Sequence, residues 1–245
     1  MTALIRSEAL KVRTTRAPWL LVAGVAALAA LGSGLVLYTD NPIAAQALSD
    51  PETQRSLLTL AAGNVFALVL GVMVGTADHR HGTATPTYVI TPQRLRPFAA
   101  RAAVTVGAVG VLAAALAAAL SAVTIPTVIA RGDLAVGVGD VAAVWGRDVL
   151  LLAGWGLLGL GIGEVVRSQV GAIVGSLVFL LVASPLVAGL LPDVAHYLPA
   201  GLEEIIRGGA AGAPFGAAVA GVLFAAYAAV ALVAGAGTLA RRDIG

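Results

Sequence analysis

Six apolar stretches of this chain, residues 19–38, 57–76, 102–130, 149–163, 168–191 and 213–240, contain no Asp, Glu, Lys, Arg or His. A hydrocarbon core about 30 Å thick is crossed by roughly 20 apolar residues at 1.5 Å rise per residue. In lipid each backbone N–H and C=O needs an internal partner, which one helical segment supplies by itself. The sequence therefore predicts an all-α polytopic membrane protein, one transmembrane domain over 1–245. A leader at 1–17 precedes six transmembrane helices at 19–38, 57–76, 99–130, 148–166, 168–191 and 213–240. Charged residues make up only 11% of the chain, too few to clothe a separate soluble domain. The membrane-embedded body reads as electrically inert, with nothing at depth to carry a proton or pair with an ion.

The charges outside the spans set the expected orientation. Arg6, Lys11, Arg13, Arg16, Arg80, Arg94, Arg96, Arg101, Arg167, Arg241 and Arg242 fall in segments on one side. Only Arg55, Arg131, Arg147 and Arg207 fall on the other. Lys and Arg accumulate in cytoplasmic loops, so both the N- and C-termini are expected to be cytoplasmic in a multi-pass protein of the cell (plasma) membrane. The acids Asp40, Asp50, Glu52, Asp133, Asp140, Asp148, Asp193, Glu203 and Glu204 lean to the outer side. Basic residues beside membrane segments are what anionic headgroups attract, and no nucleic-acid partner is expected. The first span has a long basic leader, a long apolar run and no A-x-A site, so it reads as a span rather than a cleaved signal.

In the leader, Leu4, Ile5, Ala9 and Val12 share one helical face, with Arg6 and Arg13 opposite and Leu10 off the stripe. This predicts an amphipathic interfacial leader helix, with Glu8, Lys11, Arg13 and Arg16 as its charged residues and its cations near lipid headgroups. A disordered basic tail is the alternative. Within the spans, G-x-x-x-G pairs occur at Gly71/Gly75, Gly159/Gly163 and Gly171/Gly175. They fit close helix packing inside one subunit or a face for a second copy. Asn64, Phe66 and Pro185 are candidates for packing or pore lining, and Pro126 and Pro185 for kinks.

Several chemistries lack their parts. All three histidines, His79, His81 and His196, are expected in loops, so Ser33 and Ser176 have no base at membrane depth. His79 and His81 with Arg80 between them make no metal cluster, and the chain has no cysteine. A P-loop needs a lysine before Ser or Thr, but the only lysine is Lys11, followed by Val12. The chain is thus not expected to be an enzyme by itself or to bind a cofactor. If ATP drives it, ATP and Mg belong to a partner subunit. An ion-driven carrier or channel is the alternative.

The long segment from Thr76 to Ala103 holds Thr85-Pro86 and Thr91-Pro92, each an N-cap followed by a proline suited to the first helical position. A short helix over about 86–90 and a second start at Pro92 are expected. Such a helix between spans two and three suits a lever moved by a partner.

The chain here resembles the permease subunits of type-2 ABC exporters, in particular small stand-alone permeases of the actinobacterial type. Ser7, Glu8, Lys11, Arg13, Thr14, Thr15, Arg16 and Trp19 match the family's S-E-x-x-K-x-R-T-T-R leader and its tryptophan. Arg80, His81, Gly82, Thr83, Thr87, Pro92, Arg94 and Arg101 match its first inner loop, and Tyr197 to Pro199 its outer Y-L-P. Asp78 stands where a Glu is usual, His79 replaces an aromatic and Arg101 a lysine. The resemblance implies two permease copies, as homo- or heterodimer, each bound to a separate ATP-binding-cassette ATPase subunit, and export of a hydrophobic or amphipathic substrate. It makes the leader a connecting helix and the inner loop the coupling helix, with Asp78, Arg80, His81, Gly82, Thr83, Pro92, Arg94 and Arg96 at the ATPase. It also implies short or re-entrant helices over 192–212.

Overall fold

The computed structural model describes residues 1–39, 50–80, 95–131, 134–210 and 212–241, and every regular element among them is helical. Six helices are long and apolar enough to cross a membrane: Arg16–Tyr38, Pro51–Asp78, Leu95–Arg131, Val138–Val166, Gln169–Leu190 and Ala217–Leu239. The chain is a multi-pass membrane protein by that measure. It divides into two compact units, Met1–Ala9, Leu68–Val106 and Gly154–Gly245 in one, Leu10–Ala67 and Gly107–Ala153 in the other.

The leader forms helix α1 (Thr2–Thr14) and the first span α2 (Arg16–Tyr38). Leu4, Ile5, Ala9 and Val12 are half-buried while Arg6, Arg13 and Leu10 are exposed, as the helical stripe predicts. Between α1 and α2 the backbone is extended at Thr15. Thr14 and Thr15 hydroxyls donate to the carbonyls of Leu10 and Lys11 at 2.8 and 2.7 Å, and the Trp19 indole N–H donates to Arg13 O at 3.1 Å. Thr15 and Trp19 thus tie off the Lys11 and Arg13 carbonyls, two of the last four of α1, which lack helical donors.

The second span is broken. Helix α3 (Pro51–Leu57) is capped by Asp50, which accepts from the Thr53 amide at 2.8 Å, with Pro51 in the first turn. The Thr53 hydroxyl and amide hold the Asp50 carboxyl below its ordinary pKa. A turn and a 3-10 segment (Ala61–Gly63) follow before α4 (Asn64–Arg80). Helices α5 (Leu95–Arg131) and α6 (Val138–Val166) supply the next two spans.

A break inside an apolar segment leaves backbone groups that lipid cannot satisfy. Asp148 on α6 serves them. Its carboxylate is fully buried and accepts from the Thr59 hydroxyl and the Leu60 amide, both at 2.7 Å. The Trp145 indole donates to Leu58 O at 3.0 Å, and Arg147 pairs with Asp148 at 3.1 Å. Replacing Asp148 with alanine strands a buried amide and is expected to lower stability by about 1–3 kcal/mol. Asp148→Asn, which keeps one acceptor oxygen, should lose less. Unfolding midpoints of the two variants in one detergent check the order.

In the other unit, α4 and α6 cross on glycines. A Cβ at Gly71 would land on the Gly156 carbonyl, one at Gly159 on the Leu68 carbonyl, and one at Gly163 2.9 Å from Val72 O. Two of the three G-x-x-x-G pairs are therefore packing seams within the chain, where missing side chains let backbones approach. The third is not: a Cβ at Gly175 meets nothing within 4 Å.

The fifth span joins α7 (Gln169–Val178), a π-helical stretch (Phe179–Ala183) and α8 (Ser184–Leu190). Pro185 lacks the N–H that would reach back along the helix, and the widened turn before it absorbs the mismatch. Then come α9 (Pro192–Ala195), α10 (Pro199–Arg207) and the last span, α11 (Ala217–Arg241). The expectation of short helices over 192–212 holds: Leu202 and Ile205 are buried, and α10 packs on α11. Gly208 ends α10 at φ +84°, a left-handed conformation that glycine adopts without a Cβ clash.

Candidate functional site

The inert membrane body expected from the sequence is corrected. α4 runs on through Asp78, past the end expected at residue 76, while Arg101 and Glu164 lie within the spans expected at 99–130 and 148–166, so all three charges lie on spans. They meet. Arg101 is 1% exposed and stands between Asp78 at 2% and Glu164 at 0%. Its Nη2 donates to Asp78 Oδ2 at 2.9 Å, and its Nη1 pairs with Glu164 Oε1. The glycine seam explains the meeting: Asp78 follows Gly71 and Gly75 along one face of α4, at the helical repeat. A Cβ at Gly75 would lie 3.3 Å from the Glu164 amide, so that seam brings the two carboxylates to a common level. Gly235 of α11 packs on Glu164 Cβ, and the Thr238 hydroxyl reaches Glu164 O at 3.5 Å.

The planar guanidinium suits this place, because its two terminal nitrogens address two carboxylates on different helices. Arg101 thus faces inward, unlike the general expectation that basic residues beside membrane segments meet anionic headgroups. Asp78 is equally enclosed, so it holds Arg101 rather than presenting a charge at the surface. With one cation between two anions, the cluster ties α4, α5 and α6 together beside the segment that joins α4 to α5.

Another buried carboxylate belongs to the short helix. Glu203 on α10 accepts from the Trp155 indole at 2.8 Å and pairs with Arg207 at 2.8 Å. Trp155 stands eleven residues before the end of α6, about 16 Å along its axis. α10 therefore reaches an inner stretch of the span, with the Trp155 ring edge-on to Phe224 at 5.5 Å between centroids.

Of the other residues singled out, Arg80 closes α4 and Arg96 is exposed at the start of α5. His81, Gly82, Thr83, Pro92 and Arg94, and the short helix expected over 86–90, lie outside the described residues. His79 is on α4 rather than in a loop. Glu8 is buried, Lys11 half-buried, and Arg13 and Arg16 are exposed. Asn64 opens α4 and accepts from the Val65 amide at 2.6 Å, a local bond at the break in the span. Phe66 is half-buried and Pro185 exposed. Among the described residues no three His, Cys, Asp or Glu are grouped to hold a metal ion.

The spans expected at 99–130 and 148–166 contain Arg101, Asp148 and Glu164, but the inward pairing of these residues and of Glu203 escapes a reading that looks for function only in charge-free runs. Thr76 to Arg80 and Gly163 to Val166 contain no proline or other strong breaker, so continued helix is legible there. Compared with known proteins, the chain matches no family model and no curated protein.

Proposed function

We propose that this chain is the membrane-spanning permease subunit of an ATP-driven exporter in the cell membrane. Both termini are cytoplasmic, and ATP with Mg is bound by separate ATPase subunits, two copies serving two permease copies. The observation that carries this reading is the Asp78–Arg101–Glu164 cluster. It joins the two helices flanking residues 81–94 to a third span, so force on that segment moves three spans together rather than bending one. The Lys/Arg bias supports a cytoplasmic position for this end of the helices, where an ATPase would dock. ATP binding closes the partner subunits, pushes on the 83–96 region and opens a path for a hydrophobic or amphipathic substrate. The leader and motif resemblance support the same assignment.

An ion-gradient carrier is the second reading. The buried carboxylates Asp78, Asp148, Glu164 and Glu203 favour it, since such groups line proton and ion pathways. The two readings part in a coupling experiment on the chain purified with its ATPase. Thr83→Ala and Arg94→Glu are expected to leave the complex assembled but to uncouple ATP turnover from the permease, to about the ATPase-alone rate. Unchanged coupling in both variants would remove the exporter reading. Flux that follows a proton or sodium gradient without ATP would establish the carrier.

A further inference from the structure

In the unit that contains Gly154–Gly245, α6, α7 with its π turn and α11 line an open-sided apolar slot of about 500 Å³. This lies within the range of small-molecule pockets, about 300–1,000 Å³. One end is closed by Trp155 and by Pro199 at the start of α10; the other is formed by Val166 and Ala234. Trp155 to Val166 spans about 16 Å of helix, roughly half of a 30 Å hydrocarbon core. That is the depth of one leaflet.

Polar groups occur along the slot in a definite order. One turn beyond Ala234, Arg167 donates from Nη2 to Thr238 O at 3.2 Å, which anchors the guanidinium at that end. Its Nε is buried without a hydrogen-bond partner, and its backbone sits at φ +58°, a conformation rare outside glycine. The nearby Glu164 carboxylate gives its Oε1 to Arg101. Partway along, the Ser176 hydroxyl lines the slot, buried and without a partner. Beyond it the walls are hydrocarbon and aromatic as far as Trp155 and Pro199.

We infer that the slot binds one chain of an anionic amphiphile, a phospholipid of the leaflet on the Arg167 side. The head group meets Arg167, an ester or carbonyl oxygen accepts from Ser176, and the alkyl chain ends against Trp155. A neutral apolar ligand would leave both polar groups unanswered, and a free anion would leave the slot empty. The inference concerns binding by the chain alone and stands whether or not the transport reading holds.

The three tryptophans permit a direct test. Trp19→Phe with Trp145→Phe leaves Trp155 as the sole emitter, and the chain is titrated in detergent micelles with phosphatidylglycerol carrying dibrominated acyl chains. Saturable quenching is expected, at a lipid fraction about three- to fivefold below that for matched phosphatidylcholine, the size of a partly exposed ion pair. Arg167→Gln should bring the two lipids together. Gly175→Phe, whose new side chain meets no neighbour at Cβ, should remove the saturable part, while Gly175→Ala keeps it. If Gly175→Phe fails to fold, Ala234→Phe fills the slot from α11. Equal quenching by both lipids in the parent, displacement by inorganic phosphate alone, or quenching untouched by a folded, filled variant would each overturn the inference.

Discussion

Replacing Arg101 with methionine is expected to destabilise the protein by about 3–5 kcal/mol, the cost of leaving buried charge without its partner. Methionine fills much of the arginine's volume, so the loss measures charge rather than a cavity. Asp78 and Glu164 are then two buried carboxylates on adjoining helices with no cation between them. The damage should be reversible by chemistry. Adding Asp78→Asn and Glu164→Gln to the methionine variant removes both negative charges and should restore most of the stability, since a buried ion cluster contributes little over a neutral replacement. Arg101→Lys should fall between, because one ammonium cannot address both carboxylates with a planar fork. Unfolding midpoints of the single and triple variants in the same detergent decide the matter. A triple variant no more stable than the single one would mean that Arg101 acts through packing.

The second large effect is at the crossing of α4 and α6. Gly71→Ala puts a methyl onto the Gly156 carbonyl, and Gly159→Ala puts one onto the Leu68 carbonyl. Neither neighbour is a side-chain tip that can swing away. Each variant is expected to lose at least the roughly 1–3 kcal/mol typical of overpacking, and the double variant should not accumulate in the membrane. Gly175→Ala and Gly107→Ala, with nothing within 4 Å of the new methyl, should stay within about 0.5 kcal/mol of the parent. Equal tolerance at Gly71 and Gly175 would show that the two helices do not pack this closely. Because the same seam sets the level of Asp78 against Glu164, Gly71→Ala should also weaken the ion cluster.

The spans are legible in the sequence because lipid leaves a chain few options, and charge-free runs mark them directly. Their ends are not. At Thr76 to Arg80 and Gly163 to Val166 the helix continues into charge, and whether such a charge faces headgroups or an inward partner depends on a distant residue. Arg101 illustrates this: beside Arg94 and Arg96 it reads as one of a basic set, yet it turns inward onto Asp78 and Glu164. The break at Leu58 to Gly63 is hidden for a related reason. Apolar sequence alone does not reveal a kink whose freed backbone groups are satisfied by a remote aspartate, Asp148. The G-x-x-x-G pairs carry a real but incomplete signal, since Gly71/Gly75 and Gly159/Gly163 pack on one another while Gly175 looks onto open space. The leader is clearer. Its apolar stripe and its threonines and tryptophan are local features, and local features are what a sequence states most plainly.

In the proposed mechanism a separate ATPase delivers work through the segment joining α4 to α5. Affinity purification of a tagged chain from its native membrane, followed by quantitative mass spectrometry, tests this most directly. The expected result is a P-loop ATPase recovered at one copy per copy of this chain, and lost when Thr83 to Arg94 is replaced by a Gly/Ser linker. Recovery of the chain alone, with substrate flux in vesicles that tracks an ion gradient, would contradict it.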